Sequence, residues 1–182
     1  IVNNKRQLKQ QIKKITVDMK KPALIEEYIE GDEYDVSILG SEDYDLKVLP
    51  LSRSIFKNLP RKLPHIYTYN AKWSNKPIYD KIIVQRPPKN INKKLESLIT
   101  EIALDTYNIL DCHDYGRVEI RVDEDNNPYV LELNPNPSLA CDACVPDVAK
   151  LIYMDYLSLL EEIISMAIKR YKNGKNNTNL RI

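Results

Sequence analysis

Glycine is scarce in this 182-residue chain, with four residues against eleven prolines. No stretch spells a P-loop or a Rossmann fingerprint, both of which place glycines where backbone amides must approach phosphates. A nucleotide, if one is bound, is bound another way. An excess of one charge is also lacking: 27 Lys and Arg against 26 Asp and Glu leave a net charge of +1, which removes the electrostatic case for a dedicated nucleic-acid binder. The apolar runs are too short to span a bilayer. Three cysteines, an odd set, with no apolar leader before them suit a reducing compartment, so the expected location is cytoplasmic. Cys141 and Cys144 form a C-x-x-C. With no second pair and only His65 and His113 elsewhere, incidental thiols are favoured over a redox or metal site.

What is present is ordinary for a folded chain. Charged residues are 29% and hydrophobic residues 43%, which excludes wholesale disorder and collagen-like sequence. The length suits about one domain. From Asn4 to Asp18, Leu8, Ile12 and Ile15 fall at helical spacing with Lys and Arg on the other face. The apolar run from Ala23 to Ile29 has β character and ends at Glu30-Gly31-Asp32. Tyr34, Val36 and Ile38 then alternate with Asp35 and Ser37, the pattern of a half-buried strand. This acidic stretch follows an almost purely basic helix, and a solvated acidic face is its plain explanation. Leu46 to Leu51 reads as another strand. Ser52 to Pro88 is proline-rich and weakly periodic, and reads as a long loop with short ordered pieces, the kind that often closes over a site. Asn90 to Leu110 and Val148 to Tyr171 are amphipathic helices. The end of the chain is polar and expected to fray.

The segment between those helices is the most informative. Arg117 to Val122 sets Val118, Ile120 and Val122 on one face and Arg117, Glu119 and Arg121 on the other. Tyr129 to Asn134 sets Tyr129, Leu131 and Leu133 against Val130, Glu132 and Asn134. The intervening D-E-D-N-N-P is turn chemistry, so the two runs pair as a hairpin. If Val122 pairs with Tyr129, Glu119 falls opposite Glu132 and Arg117 opposite Asn134. Directly opposed carboxylates are destabilising unless neutralised, and a divalent cation would neutralise them. Carboxylate and carboxamide oxygens without thiolate or imidazole favour Mg2+ or Mn2+. Arg117 would suit a phosphoryl group or an oxyanion. A solvent-facing hairpin in which Arg117 and Arg121 merely pair with Glu119 and Glu132 is the alternative.

These residues resemble the second half of an ATP-grasp ligase, most closely the C-terminal part of D-alanine-D-alanine ligases, over nearly the whole chain. The resemblance implies an α+β lobe with an antiparallel sheet flanked by helices, spanning residues 1–172 and followed by a flexible tail, 173–182. It implies Glu119, Glu132 and Asn134 as ligands of Mg2+ or Mn2+, with Arg117 on the phosphoryl group in flight. Glu119 stands where that subfamily has Asp. A-L-I-E-E-Y-I-E-G-D-E-Y-D-V-S-I-L-G is similar to the family's nucleotide hinge, which would set Glu26 and the backbone of Glu27, Tyr28 and Ile29 at the adenine of ATP and Glu33 at its ribose. Y-T-Y-N-A-K-W is similar to Y-D-Y-E-A-K-Y in the family's phosphate loop, making Lys72 a phosphate contact; Asn70 replaces an acidic residue there. In N-P-N-P-S-L-A-C-D-A-C-V-P, Ser138 replaces a glycine of the oxyanion site and Ala143 the serine that holds the acceptor's carboxylate.

The implied activity is ATP- and Mg-dependent joining of a small-molecule carboxylate to an amine through an acylphosphate. The same resemblance expects an N-terminal part of the same protein ahead of Ile1 as the chain's partner, allows a homodimer, and calls for no nucleic acid and no membrane. A non-catalytic module that keeps the fold for nucleotide sensing or protein interaction is the competing reading.

Overall fold

The computed structural model describes residues 1–41, 44–74 and 76–178. An antiparallel sheet of six strands forms its centre. The central strand is β1 (Asp32–Ser41), which also pairs at its far end with β2 (Tyr44–Val48). On one side of β1 lies β3 (Ser52–Ile55) and then β4 (Ile83–Gln85); on the other lies β5 (Tyr115–Val122) and then β6 (Pro128–Asn134). Helices α1 (Lys5–Lys13), α2 (Tyr69–Trp73), α3 (Lys93–Ile109), α4 (Cys144–Lys150) and α5 (Tyr156–Thr178) flank it. This is the α+β architecture that the motifs imply. Among the described residues no helix is long and apolar enough to cross a membrane.

The period-2 pattern decides what each sheet face does. Tyr34, Val36 and Ile38 of β1 and Val118, Ile120 and Val122 of β5 meet Ile99, Ala103 and Tyr107 of α3 in one core cluster. Each aliphatic side chain so buried contributes about 1.5–3 kcal/mol. Leu39, out of phase with that set, joins Val145, Val148, Leu159 and Ile163 of α4 and α5 in a second cluster. The central strand is therefore covered on both faces, not half-buried, and its polar residues lie inside as well.

Several sequence expectations need correction. Residues 23–29 belong to no strand, because nothing among the described residues pairs with them. The short ordered pieces expected within Ser52 to Pro88 are β3, α2 and β4, and S-R-S-I and I-V-Q are too short for periodicity to mark as strands. The helix expected from 148 to 171 is two. The chain leaves α4 and passes through Tyr153 at φ 60°. It then restarts where Asp155 Oδ1 accepts the Ser158 N–H at 2.8 Å, an N-terminal cap. Helix α5 runs to Thr178; of the tail 173–182, residues 179–182 lie outside the described residues.

The hairpin pairs as expected at its open end, with Arg117 opposite Asn134 and Glu119 opposite Glu132. Toward the turn the register slips by one, so that Val122 pairs with Pro128 and not with Tyr129. The bulge falls at Leu131, as an extra residue on β6 that breaks the alternation. Val130, opposite Ile120, and Leu133, opposite Val118, share the α3 side, and Leu131 lines a cleft on the other.

Gly31 lets the chain enter β1 at all. It has φ +150°, and a Cβ there would lie 1.9 Å from the Val122 carbonyl oxygen. Gly31→Ala must move backbone, and is expected to destabilise the protein by about 3 kcal/mol or more, measured by denaturant unfolding of the full-length protein carrying this chain. A loss under about 1 kcal/mol would mean that the crossing at Val122 is looser than described.

Candidate functional site

On the face away from α3, the ladders arrange polar residues in rows. Ser52, Asp35, Glu119 and Glu132 stand side by side on β3, β1, β5 and β6. The next row is Ser37, Arg117 and Asn134; the row on the other side is Ser54, Glu33 and Arg121. Three carboxylates in adjacent ladder positions repel one another, and the neighbouring rows supply the compensation. Arg117 donates from Nη2 to Glu119 and places Nε 3.3 Å from Asp35 Oδ1. Arg121 places Nη1 3.6 Å from Glu33 Oε2. The alternative of a solvent-facing hairpin fails on burial, although the Arg117–Glu119 pair that it expects is present. Glu119 is 6% exposed and Arg121 2% exposed, and Arg121 pairs with Glu33, not with Glu132. Only the outer member of the row, Glu132, is exposed.

Above these rows opens a cleft of about 660 Å³. Its lining includes Glu26, Glu27, Tyr28, Ile29, Glu33, Lys72, Glu119 and Glu132, so the structure gathers eight of the ten residues singled out from sequence around one space. Arg117 and Asn134 stand in the next row, outside the lining. The strip 22–30 makes no backbone-to-backbone hydrogen bond among the described residues. Its amides and carbonyls are polar edges without a ladder, a state that calls for water or a ligand. Lys72 belongs to α2, which starts where Thr68 Oγ1 accepts the Ala71 N–H at 3.1 Å. The Lys72 ammonium lies 6.0 Å from the centre of the Tyr67 ring.

Burial sets the protonation behaviour. It lifts Glu33 to about 7 against the opposing pull of Arg121, and Asp35 to about 6 against that of Arg117. Arg117 is itself raised: burial works against its charge, but Asp35 and Glu119 outweigh it. Among the described residues, no group of three or more His, Cys, Asp or Glu side chains is placed to hold a metal by itself. The available set is two opposed carboxylates and the Asn134 carboxamide, whose Oδ1 also accepts the Asn136 N–H at 3.0 Å. A partial shell of hard oxygens fits an ion such as Mg2+, which keeps waters and takes substrate oxygens. The three cysteines are free.

Sequence reasoning missed Asp35 and gave Arg121 only a surface role. Asp35 could have been found from the E-x-D-x-S alternation of β1, had that strand been recognised as central. Arg86 was missed as well. It donates to Ser52 Oγ at 3.1 Å and to Asp147 Oδ2 at 2.8 Å, joining the sheet to α4.

Comparison with known proteins bears on family and fold. The family model described as D-ala D-ala ligase C-terminus matches residues 1–165. An uncharacterized protein of Sinorhizobium fredii is 32% identical over 175 residues, covering 94% of this chain and 48% of its own length. The D-alanine--D-alanine ligase of Pelotomaculum thermopropionicum is 31% identical over 147 residues, covering 81% of this chain and 42% of the ligase. In fold, the crystal structure of D-alanine--D-alanine ligase from Bacillus anthracis complexed with ATP matches with a TM-score of 0.72 at 23% identity, over 95% of this chain and 50% of that one. The chain thus spans about half the length of the relatives it matches or less.

The raised acids give stability a definite sign. Between the unfolded values near 4 and the folded values of about 7 for Glu33 and about 6 for Asp35, the native state holds more protons than the unfolded chain. Stability from these two groups therefore falls as pH rises through that window. Without nucleotide, the melting temperature is expected to drop by about 2–4 °C between pH 5.5 and 8, and Glu33→Gln should flatten the part of the drop above pH 6. A drop equally steep in the variant would remove Glu33 as its source.

Proposed function

The chain belongs to the D-ala D-ala ligase C-terminus family, and on that premise we propose that it supplies the metal-bearing half of an ATP-dependent carboxylate-amine ligase. The observation that carries the reading is the opposition of Glu119 and Glu132 beneath a cleft whose other wall is the unpaired strip 22–30. Opposed carboxylates at the floor of a cleft invite a divalent cation, and unpaired backbone edges suit the hydrogen-bonding edge of a nucleobase.

In this reading ATP lies in the cleft with its adenine against the backbone of Glu27, Tyr28 and Ile29 and the side chain of Glu26. Glu33 accepts hydrogen bonds from the ribose hydroxyls. Mg2+ held by Glu119, Glu132 and Asn134 would neutralise charge on the β- and γ-phosphates. Lys72 contributes a point charge to the phosphates, and Arg117 holds the phosphoryl group in flight with its planar fork. Asp35 and Glu119 fix that guanidinium before substrate arrives, so little reorganisation is needed as charge develops. The γ-phosphoryl passes to a carboxylate oxygen of the donor with release of ADP. An amine then attacks the acylphosphate carbon, phosphate leaves, and an amide bond forms with loss of a proton from the amine.

The acceptor side departs from the family pattern. Ala143, at the start of α4, makes no side-chain cap and has no hydroxyl to offer an acceptor carboxylate. The acceptor is therefore proposed as an amine, without D-alanine being assumed. Cytoplasmic localisation follows from the same reading, since ATP is spent in the reaction.

Glu132→Gln tests this in the full-length protein, with the acid and amine that support turnover in a substrate screen. Amine-dependent ADP release is expected to fall at least about 100-fold. Unchanged turnover would take Glu132 out of the mechanism, and wild-type protein that releases no ADP with any pair would favour a non-catalytic module.

A further inference from the structure

The proposed reaction gives work to Arg117 but none to Arg121, which is the largest fully buried side chain among the described residues. Burying a guanidinium is costly unless its donors are used, and the uses here are specific. Nε donates to the Ile29 carbonyl at 3.0 Å and Nη2 to the His65 carbonyl. Nη1 lies 3.6 Å from Glu33 Oε2, and the ion sits 5.0 Å from the centre of the Phe56 ring. Four parts of the chain meet on one side chain: the strip 22–30, β1, the segment after β3 and the stretch leading to α2. Arg121 also lines the cleft, and its Nη1 has no hydrogen-bond partner among the described residues. The Ile29 carbonyl is the one backbone group in the strip that the described hydrogen bonds hold from the sheet side.

We propose that Arg121 is the positioning residue of the nucleoside half of the cleft. It fixes the backbone that meets the base, through Ile29, and directs the Glu33 carboxylate that meets the ribose, while the His65 carbonyl and Phe56 hold the guanidinium in its own place. The inference rests on reading the cleft as a nucleotide site. It deepens that reading by separating two subsites on one sheet face. Arg121 and Glu33 form the nucleoside row, whereas Arg117 and Glu119 pair with each other and, with Glu132, serve the phosphates. A residue that only stabilised the fold would affect both subsites alike.

The test compares MgATP with magnesium tripolyphosphate, which carries the phosphates but no nucleoside, by calorimetric titration of the full-length protein. Arg121→Met keeps the length of the side chain and removes its charge and donors. It is expected to weaken ATP binding at least about 10-fold, the effect of losing hydrogen bonds from a charged donor, and to leave tripolyphosphate affinity within about twofold. Arg121→Lys keeps a charge beside Glu33 but cannot reach both carbonyls, so its ATP affinity should fall between the two. It provides the same comparison if Arg121→Met does not fold. Equal weakening of ATP and tripolyphosphate, or no weakening of ATP, would overturn the inference. Wild-type protein that binds neither ligand would overturn the nucleotide reading itself, a result distinguishable from the other two because it needs no variant.

Discussion

Three carboxylates stand in adjacent positions across three strands, and the rest of the site is arranged around that repulsion. Asp35, Glu119 and Glu132 form one row on β1, β5 and β6, with charges that interact more strongly in a protein interior than in water. One guanidinium compensates the row directly, and a second serves the carboxylate of the neighbouring row. Arg117 serves Asp35 and Glu119 from one side; on the other, Arg121 answers Glu33. Only Glu132, at the exposed edge, has no ion-pair partner described in the structure, which is where an incoming cation would be needed. Removing one member of a buried pair of this kind costs about 3–5 kcal/mol, so the rows are a condition of folding as much as of chemistry.

The other sheet face makes this affordable. Because side chains alternate, every polar position of β1 and β5 on the cleft side is backed by a valine, isoleucine or tyrosine packed against α3. The bulge at Leu131 then adjusts the edge strand. It leaves the open end of the hairpin in the register that sets Glu132 opposite Glu119, and it turns Leu131 toward the cleft, where an apolar surface can face a base. Packing, register and site geometry thus share the same residues.

Much of this was legible in the sequence because the hairpin states its pattern openly: valine and isoleucine on one face, charge on the other, and a turn between. The register at Glu119 and Glu132 followed from counting, but the slip at Leu131 did not, since a bulge leaves no local signature in L-E-L-N. Residues 23–29 have strand-like composition, yet pairing is a tertiary property and no partner is present among the described residues. The break between α4 and α5 was signalled only by Asp155, a cap hidden inside an otherwise helical spacing. Arg121 and Asp35 escaped because alternation reports polarity, not burial. A polar face that is covered by the strip 22–30 and by Tyr67 looks the same in sequence as one facing water.

We propose that this face binds a nucleotide together with a divalent cation held by the carboxylate row. Titrating ATP into the full-length protein by calorimetry, once with Mg2+ and once with the metal chelated, tests it most directly. Binding is expected to be at least about 10-fold tighter with Mg2+ and to lose this dependence in Glu119→Gln. ATP binding that is equally tight with and without the metal would contradict it.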